Sequence, residues 1–346
     1  MQQTVGVTEA GRGGRGRVTL NDVAARAGVS RALVSIVLRD APGASAATRE
    51  RVLEAARELD YRPDVRARSL GGQRSKLIGV MFGVGVGAFH FDLLEGLYAA
   101  AAEHDHNLIL SAVTSGRDES AAVESLQDFR FDGLIMLGPP TPLPLLAGRL
   151  PVVVVGWHVD HPRVDVVRTS DEAGMAAAVD HLVAEGHRRI AHLDGGETLI
   201  GQSRRAGFVA AMSRHGLQDS ALVVPGGQAQ IDGQRAALRL LEADVRPTAL
   251  IAYNDDTALA AMGVLAQQGI AIPDDLSVVG WDDSQLAALS LVGLTSVIQE
   301  PGRLAGLAVA RVIDRINQRR VADREIVLQP QLRVRASTAP PPPSMS

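Results

Sequence analysis

VTLNDVAARAGVSRALVSIVL, from Val18 to Leu38, is the stretch from which the rest of the chain can be read. Thr19 is a good N-cap, and Asp22 three residues on completes a capping box. Leu20, Val23, Ala24 and Ala27 share one face at helical spacing. Gly28-Val29 supplies a turn, because glycine reaches positive φ at little steric cost. Ser30 caps a second helix that buries Val34, Val37 and Leu38, so Arg31, Ala32, Ser35 and Ile36 point outward at i, i+3 and i+4 spacing. Two helices this short do not fold alone, and Ser45 to Leu59 predicts the third that closes a small core. The pattern is a helix-turn-helix, whose second helix has the shape that lies in a DNA major groove. Taken alone, the same stretch could also be a helical hairpin that only packs on another surface.

A chain of 346 residues, 46% of them hydrophobic, is long enough for two or three globular units. The net charge of -4 is unevenly spread: residues 1–76 hold 14 Lys+Arg against 8 Asp+Glu, the remainder 21 against 31. A cationic end attracts phosphate, and an acidic body resists non-specific adhesion to it. Lys76 is the only lysine, so arginine carries the other cationic contacts. The absence of cysteine excludes disulfides, thiolate metal sites and a cysteine nucleophile. The N-terminus lacks the apolar segment of a signal peptide, and no run approaches the ~18 apolar residues of a membrane span. A soluble, cytoplasmic protein is expected.

Residues 1–17 are glycine-rich, with Arg12, Arg15 and Arg17 interspersed, and predict a disordered basic arm. The helix-turn-helix domain is expected over 18–62. Residues 63–76 follow as a hinge helix or linker, with Pro63 in a first helical turn and Gly71-Gly72 as a stop. From Leu77 short apolar runs alternate with helical patterns through 77–338, before a disordered tail at 339–346. Strands are expected at 77–82, 108–110, 133–137, 151–155, 189–193, 222–224, 248–252 and 276–280. Such alternation with fully apolar strands means parallel sheets covered on both faces. The number of units suits two doubly wound lobes with a cleft at the carboxyl ends of their strands. Gly83, Gly85 and Gly87 imitate a dinucleotide fingerprint, but the third is wrongly spaced. The histidines at 104/106, 158/161 and 181/187/192 match no usual metal-ligand spacing, and no cofactor is expected. No serine sits in a nucleophile elbow, which speaks against an α/β enzyme.

The succession Val18-Thr19-Leu20, Asp22-Val23-Ala24, Ala27-Gly28-Val29-Ser30, Val34-Ser35, Arg62-Pro63 and Leu70 resembles the lactose/galactose repressor (LacI/GalR) family. The resemblance continues through Ile78-Gly79-Val80, Asp132-Gly133-Leu134-Ile135, Gly186-His187-Arg188-Arg189-Ile190-Ala191, Asn254-Asp255 and Pro273 to Asp283, as far as Arg335-Ala336-Ser337. It implies a DNA-binding headpiece, a hinge helix and a core like a periplasmic sugar-binding protein, crossed between lobes three times, near 187, 299 and 323. It implies a transcriptional regulator, a repressor in kind, whose affinity for a near-palindromic operator duplex is set by a small-molecule effector, a sugar above all. On the DNA side it points to Thr19, Ser30, Arg31, Ala32, Ser35, Ile36, Arg39, Arg66 and Leu70. Ser30 and Ser35 would hold phosphate, Arg31 a guanine edge, and Leu70 would wedge a base step open in the minor groove. Leu33 and Ile36 depart from the family's common threonine and arginine, so the operator should differ as well.

For the effector the resemblance points to Ser170, Arg204, Asn254, Trp281, Asp282 and Gln299, with Asp282 and Arg204 sharing hydroxyls and Trp281 as an aromatic wall. The competing reading makes the Asp–Arg pair an interlobe ion pair and Trp281 a core residue. Leu137 and Ser170 stand where polar or acidic groups often sit. Phe89, His90 and Trp157 compensate, which favours a less hydroxylated or more aromatic ligand. After Arg335 no leucine heptads follow, so a homodimer rather than a tetramer is expected. A solute-binding protein without a DNA role is the main rival, but it would lack residues 18–62.

Overall fold

The structure, a computed structural model, describes residues 18–38, 41–61, 74–83, 87–114, 116–127, 129–138, 150–243 and 246–342. The chain divides into two units, Met1–Ser75 and Lys76–Ser346. In the first, α1 (Leu20–Ala27), α2 (Arg31–Leu38) and α3 (Ala46–Glu58) enclose a core of Val23, Val34, Val37, Val52 and Ala55. The capping box is present: the Thr19 backbone N–H donates to Asp22 Oδ2 at 2.7 Å, and the Thr19 hydroxyl accepts from the Asp22 N–H. Gly28 ends α1 at φ 66, the left-handed conformation its position requires. Ser30 accepts the Leu33 N–H at 3.3 Å, and Ser45 the Thr48 N–H at 3.3 Å. Arg49 donates to the carbonyls of Val37 and Ala41, which ties α3 to the end of α2.

In the second unit two sheets are built from the alternation in the sequence. The first lobe contains β1 (Leu77–Gly83), β2 (Asn107–Val113), β3 (Gly133–Leu137), β4 (Val152–Val155) and β5 (Val164–Thr169), joined by β11 (Glu325–Leu328). Their order is β11-β5-β4-β3-β1-β2, all pairs parallel. Its helices are α4 (Ala88–Glu103), α5 (Glu119–Gln127) and α10 (Pro301–Ile316). The second lobe contains β6 (Ile190–Leu193), β7 (Ala221–Val224), β8 (Ala249–Ala252), β9 (Ser277–Asp282) and β10 (Thr295–Ile298), with β12 (Gln331–Arg333) antiparallel at one edge. Its helices are α6 (Asp171–Ala184), α7 (Leu199–Arg214), α8 (Gln230–Leu241) and α9 (Asp255–Gln267). Each sheet is apolar on both faces because helices cover both, so each lobe has two buried clusters.

Two of the three expected crossings lie elsewhere. The first occurs at Ser170, not near 187, because α6 buries Met175, Ala178, Val179 and Leu182 against Phe208, Met212 and Trp281 of the second lobe. A helix directly after a strand reads as the cover of that strand's own sheet, and here it covers the other. The third occurs between β11 and β12, at 329–330, not near 323, because Glu325 to Leu328 still pair with Val166 to Thr169. The second falls at Gln299-Glu300 as expected, where the Thr169 hydroxyl donates to the Gln299 carbonyl at 3.5 Å. The first and second crossings are thus hydrogen-bonded side by side. The strands at 164–169, 295–298, 325–328 and 331–333 were missing from the sequence reading; all four are short or polar-interrupted.

Candidate functional site

On the headpiece, Arg31 and Ala32 open α2 and are exposed, as an edge-reading pair must be. Ser35 and Ile36 are only half-buried. Ile36 leans on the loop after α2, where its side chain lies 3.8 Å from the point at which a Cβ on Gly43 would stand. That contact corrects the expectation of four fully outward side chains: Ile36 is a flank of the helix rather than its crest. Thr19 and Ser30 are spent locally as caps, though each hydroxyl keeps further hydrogen-bonding capacity. Arg39, Arg66 and Leu70, with the basic arm and most of 63–76, lie outside the described residues.

Between the lobes of the second unit lies a cavity of about 570 Å³. Leu137 and Val155 end β3 and β4, Asp282 ends β9 and Tyr253-Asn254 follow β8, so the cavity sits at the carboxyl ends of both sheets. Phe89, Trp157, Arg204, Asn254, Asp282 and Gln299 all line it. Residues more than 200 positions apart in sequence are thereby brought to one cavity.

Trp281 and Ser170 do not line that cavity. Trp281 is fully buried behind it, in the core shared with α6 and α7. Its ring lies so close to Gly174 that a Cβ there would stand 2.3 Å from Cη2. The indole forms no aromatic wall for a ligand; it supports Arg204, whose guanidinium carbon lies 4.2 Å from the ring centroid. The cause is strand alternation: Trp281 faces the helices, and the cleft begins one residue later. Ser170 caps α6 by accepting the Ala173 N–H at 3.1 Å.

Arg204 is 4% exposed, which demands a partner. Its Nε donates to Asp171 Oδ1 at 3.1 Å and its Nη1 donates to the Tyr253 carbonyl at 2.5 Å. Tyr253 and Trp281 flank the guanidinium, the Tyr253 ring at 4.6 Å. The ion pair of Arg204 is therefore with Asp171 rather than with Asp282, and since all three residues belong to the second lobe it is not an interlobe pair. Sequence reasoning missed Asp171, which reads as an ordinary acidic first turn. It also missed Tyr253, although a residue just past a strand's carboxyl end is where a cleft places its side chains.

Asp282 accepts from Gln299 Nε2 at 2.6 Å and is held at φ 115, a conformation that an L-residue adopts at a cost of roughly 1–3 kcal/mol. Burial pushes its carboxyl well above the usual range, reinforced by Asp255 and opposed by Arg204 and Gln299. Asp255 itself, beneath the site, is pushed up to about 6 by burial, although Ser296 and Ser284 donate to it. Asn254 is largely committed to structure: its Oδ1 accepts the Thr257 N–H at 2.8 Å, and its Nδ2 donates to the Gln228 carbonyl at 3.1 Å. On the opposite wall burial holds His90 below its ordinary value, against the pull of Asp256. Among the described residues no cluster of His, Asp and Glu is placed to hold a metal, and no helix is long and apolar enough to cross a membrane.

Comparison with known proteins meets both halves of this arrangement. Residues 19–64 match the family of bacterial regulatory proteins of the lacI type, and residues 179–338 the periplasmic binding protein-like domain. The chain is 30% identical over 328 residues to the HTH-type transcriptional repressor PurR of Photobacterium profundum, covering 92% of this chain and 98% of that one. It belongs to the LacI family. Among family members, the probable repressor ExuR of Bacillus subtilis is 28% identical over 92% of this chain and 98% of its own length. The lac repressor dimer bound to operator and the anti-inducer ONPF superposes with a TM-score of 0.83 at 30% identity, over 93% of this chain and 99% of that one. A LacI transcriptional regulator from a Rhodococcus species is 42% identical, with a TM-score of 0.72 over 76% of this chain and 98% of its own. The regulator CelR in complex with cellobiose is 28% identical, with a TM-score of 0.69 over 93% and 100%. These relatives are transcriptional repressors and regulators rather than enzymes, and the chain is a DNA-binding transcriptional regulator with an effector-binding core.

Proposed function

We propose that this regulator is a cytoplasmic homodimeric repressor that binds a near-palindromic operator and releases or tightens it when a small molecule, a sugar-like compound, occupies the cavity between its lobes. The domain plan is a basic arm at 1–17, a reading headpiece at 18–62, a hinge at 63–76, a sensing and dimerising core at 77–338 and a tail at 339–346. The observation that carries it is the cavity itself: its walls belong to two lobes joined by three strand crossings, so a ligand touching both changes their relative stability as open and closed forms. A ligand that binds one form better biases DNA affinity by the same differential free energy.

In the headpiece, Arg31 and Ala32 read base edges, with Thr19, Ser30, Ser35, Ile36 and Arg39 beside them. Arg66 and Leu70 act from the hinge. In the core, Phe89, Trp157, Arg204, Asn254, Asp282 and Gln299 meet the ligand, while Ser170 and Trp281 hold the frame. The names of the relatives support this reading, since one was solved on operator DNA with a small molecule and another with cellobiose. Selection from random duplexes tests the DNA side. Recovery of paired half-sites about one helical turn apart supports it, and recovery of only asymmetric or single-stranded ligands overturns it. Operator affinity measured with and without candidate effectors tests the sensing side.

A further inference from the structure

Taking the headpiece as the operator reader, the surface of α2 narrows what it reads. Of the side chains from Arg31 to Leu38, only Arg31 and Ser35 can hydrogen-bond, and only Arg31 can hold a base edge with two bonds. The rest of α2 is hydrocarbon, and the core takes only part of it. Val34 and Val37 are buried there, at 0% and 3% exposure, and Leu38 packs against them. Among the described residues that core includes neither Leu33 nor Ile36, and both are only half-buried. Ile36 shares the outward side of the helix with Ala32 and Ser35. One edge of it is held: its Cγ2 and Cδ1 lie 3.8 and 3.9 Å from the point where a Cβ on Gly43 would stand. The side chain is β-branched and therefore stiff at χ1. Steadied by the loop on one edge, it presents a fixed hydrocarbon surface on the other.

Such a surface on a reading helix has few counterparts. The groups that distinguish base pairs in the major groove are hydrogen-bond donors and acceptors, with one exception, the 5-methyl group of thymine. A donor or acceptor covered by isoleucine loses its water and gains no bond, whereas a methyl covered by it is removed from water at a profit. We infer that Ile36 is a specificity-determining residue that reads one thymine in each half-site through its 5-methyl group, while Arg31 reads by hydrogen bonds. The inference rests on the operator reading above. Since the group recognised is a methyl and not a whole base, 5-methylcytosine offers Ile36 the same surface, and the position distinguishes a methylated from an unmethylated C·G pair.

The experiment uses the full-length protein and the duplex recovered by selection from random sequence. Each thymine of the half-site is replaced in turn by deoxyuridine, which removes the methyl and keeps every hydrogen-bonding group. One position should lose about fourfold in affinity, and about fifteenfold when both half-sites carry the replacement. In Ile36→Ala the thymine-to-uracil ratio at that position should fall below about twofold, whereas Ile36→Val, which keeps the branch, should preserve most of it. Each ratio compares two duplexes on one protein, so any loss of headpiece stability cancels. With C·G placed at the same position, 5-methylation of the cytosine should strengthen binding by about fourfold. Paired half-sites without a uracil-sensitive thymine, a sensitivity that survives Ile36→Ala, or no gain on methylation overturns the inference and leaves the operator reading standing. Failure to recover paired half-sites overturns that reading, and this inference with it.

Discussion

The two walls of the cavity are built on different physical principles. The second lobe's wall is held by hydrogen bonds: Arg204 donates to Asp171 and to the Tyr253 carbonyl, Gln299 donates to Asp282, and the Trp281 ring backs the guanidinium. The first lobe's wall is mostly hydrocarbon; burial holds its His90 below the ordinary value, and its Trp157 Nε1 has no partner among the described residues. A wall of the first kind is preorganised and confers orientation on whatever binds. The second kind is indifferent to orientation and gains by being covered. The lobes thus divide the labour of recognition: one reads, the other rewards closure. Removing a charged partner from the reading wall should therefore cost stability, whereas exchanges that keep the shape, on either wall, should act on effector binding.

The largest expected effect lies on the reading wall. Asp171→Ala leaves the Arg204 guanidinium buried without its counter-charge, which typically costs about 3–5 kcal/mol. Denaturant unfolding of the isolated variant measures it. Adding Arg204→Met to Asp171→Ala should return much of the loss, since the cost is an unpaired charge rather than lost contacts. A loss below about 1 kcal/mol would mean that solvent reaches this wall, and the contrast between the walls would fall.

The pH dependence comes next. Asp255 has a folded-state value of about 6 against an ordinary 3.8, so between these the native state holds more protons than the unfolded chain. Its contribution to stability is undiminished below pH 3.8 and falls as pH rises towards and past 6, by about 3 kcal/mol in total. The raised carboxyl of Asp282 acts in the same direction. Asp255→Asn cannot titrate. Stability of wild type minus variant, followed from pH 4 to pH 7, should therefore decline with rising pH; a difference that stays flat or increases would show that Asp255 is not held above its usual range.

Asp282→Asn follows, at about 1.5–3 kcal/mol in effector affinity, roughly ten- to a hundredfold. Folding and operator binding should be spared, because the variant keeps the shape and leaves the Asp171–Arg204 pair intact. Dose–response curves of operator release check it, and an unshifted curve would remove Asp282 from the site.

Much of the fold was legible because it is written locally. Capping by Thr19, Ser30 and Ser45 and the turn at Gly28 are decided by residues within a few positions of one another. The apolar strands of a parallel sheet announce themselves in the same way. The position of Asp282 at a strand's carboxyl end was also legible, through the alternation and the family pattern. What escaped depended on distant partners. The pairing of Arg204 with Asp171, 33 positions away, exists only because α6 crosses to the second lobe, which nothing in its own sequence declares. Trp281 was misplaced by one strand register, since alternation tells which residues share a face but not which face meets the cleft. β11 and β12 are too short for a periodicity, and their pairing is decided by the crossings rather than by their composition.

The smallest expected effect separates the two walls most finely. Trp157 is 5% exposed, lies in the first lobe's core and lines the cavity, and Ile200 of the second lobe packs against the same cluster at the seam. Its Nε1 finds no partner among the described residues. A buried donor without an acceptor costs about 1–3 kcal/mol, and removing it offsets the apolar area lost when an indole becomes a phenyl ring. Trp157→Phe should therefore change unfolding stability by less than about 1 kcal/mol, whereas Trp157→Ala should cost about 3–5 kcal/mol for the cavity it opens. The same variant then reports on closure. If lobe movement on binding gives the indole N–H an acceptor, Trp157→Phe should weaken effector binding by about tenfold at unchanged stability, one charge-free hydrogen bond's worth. If effector affinity stays within twofold of wild type, the seam serves only to be covered, and the first lobe contributes hydrocarbon and nothing more.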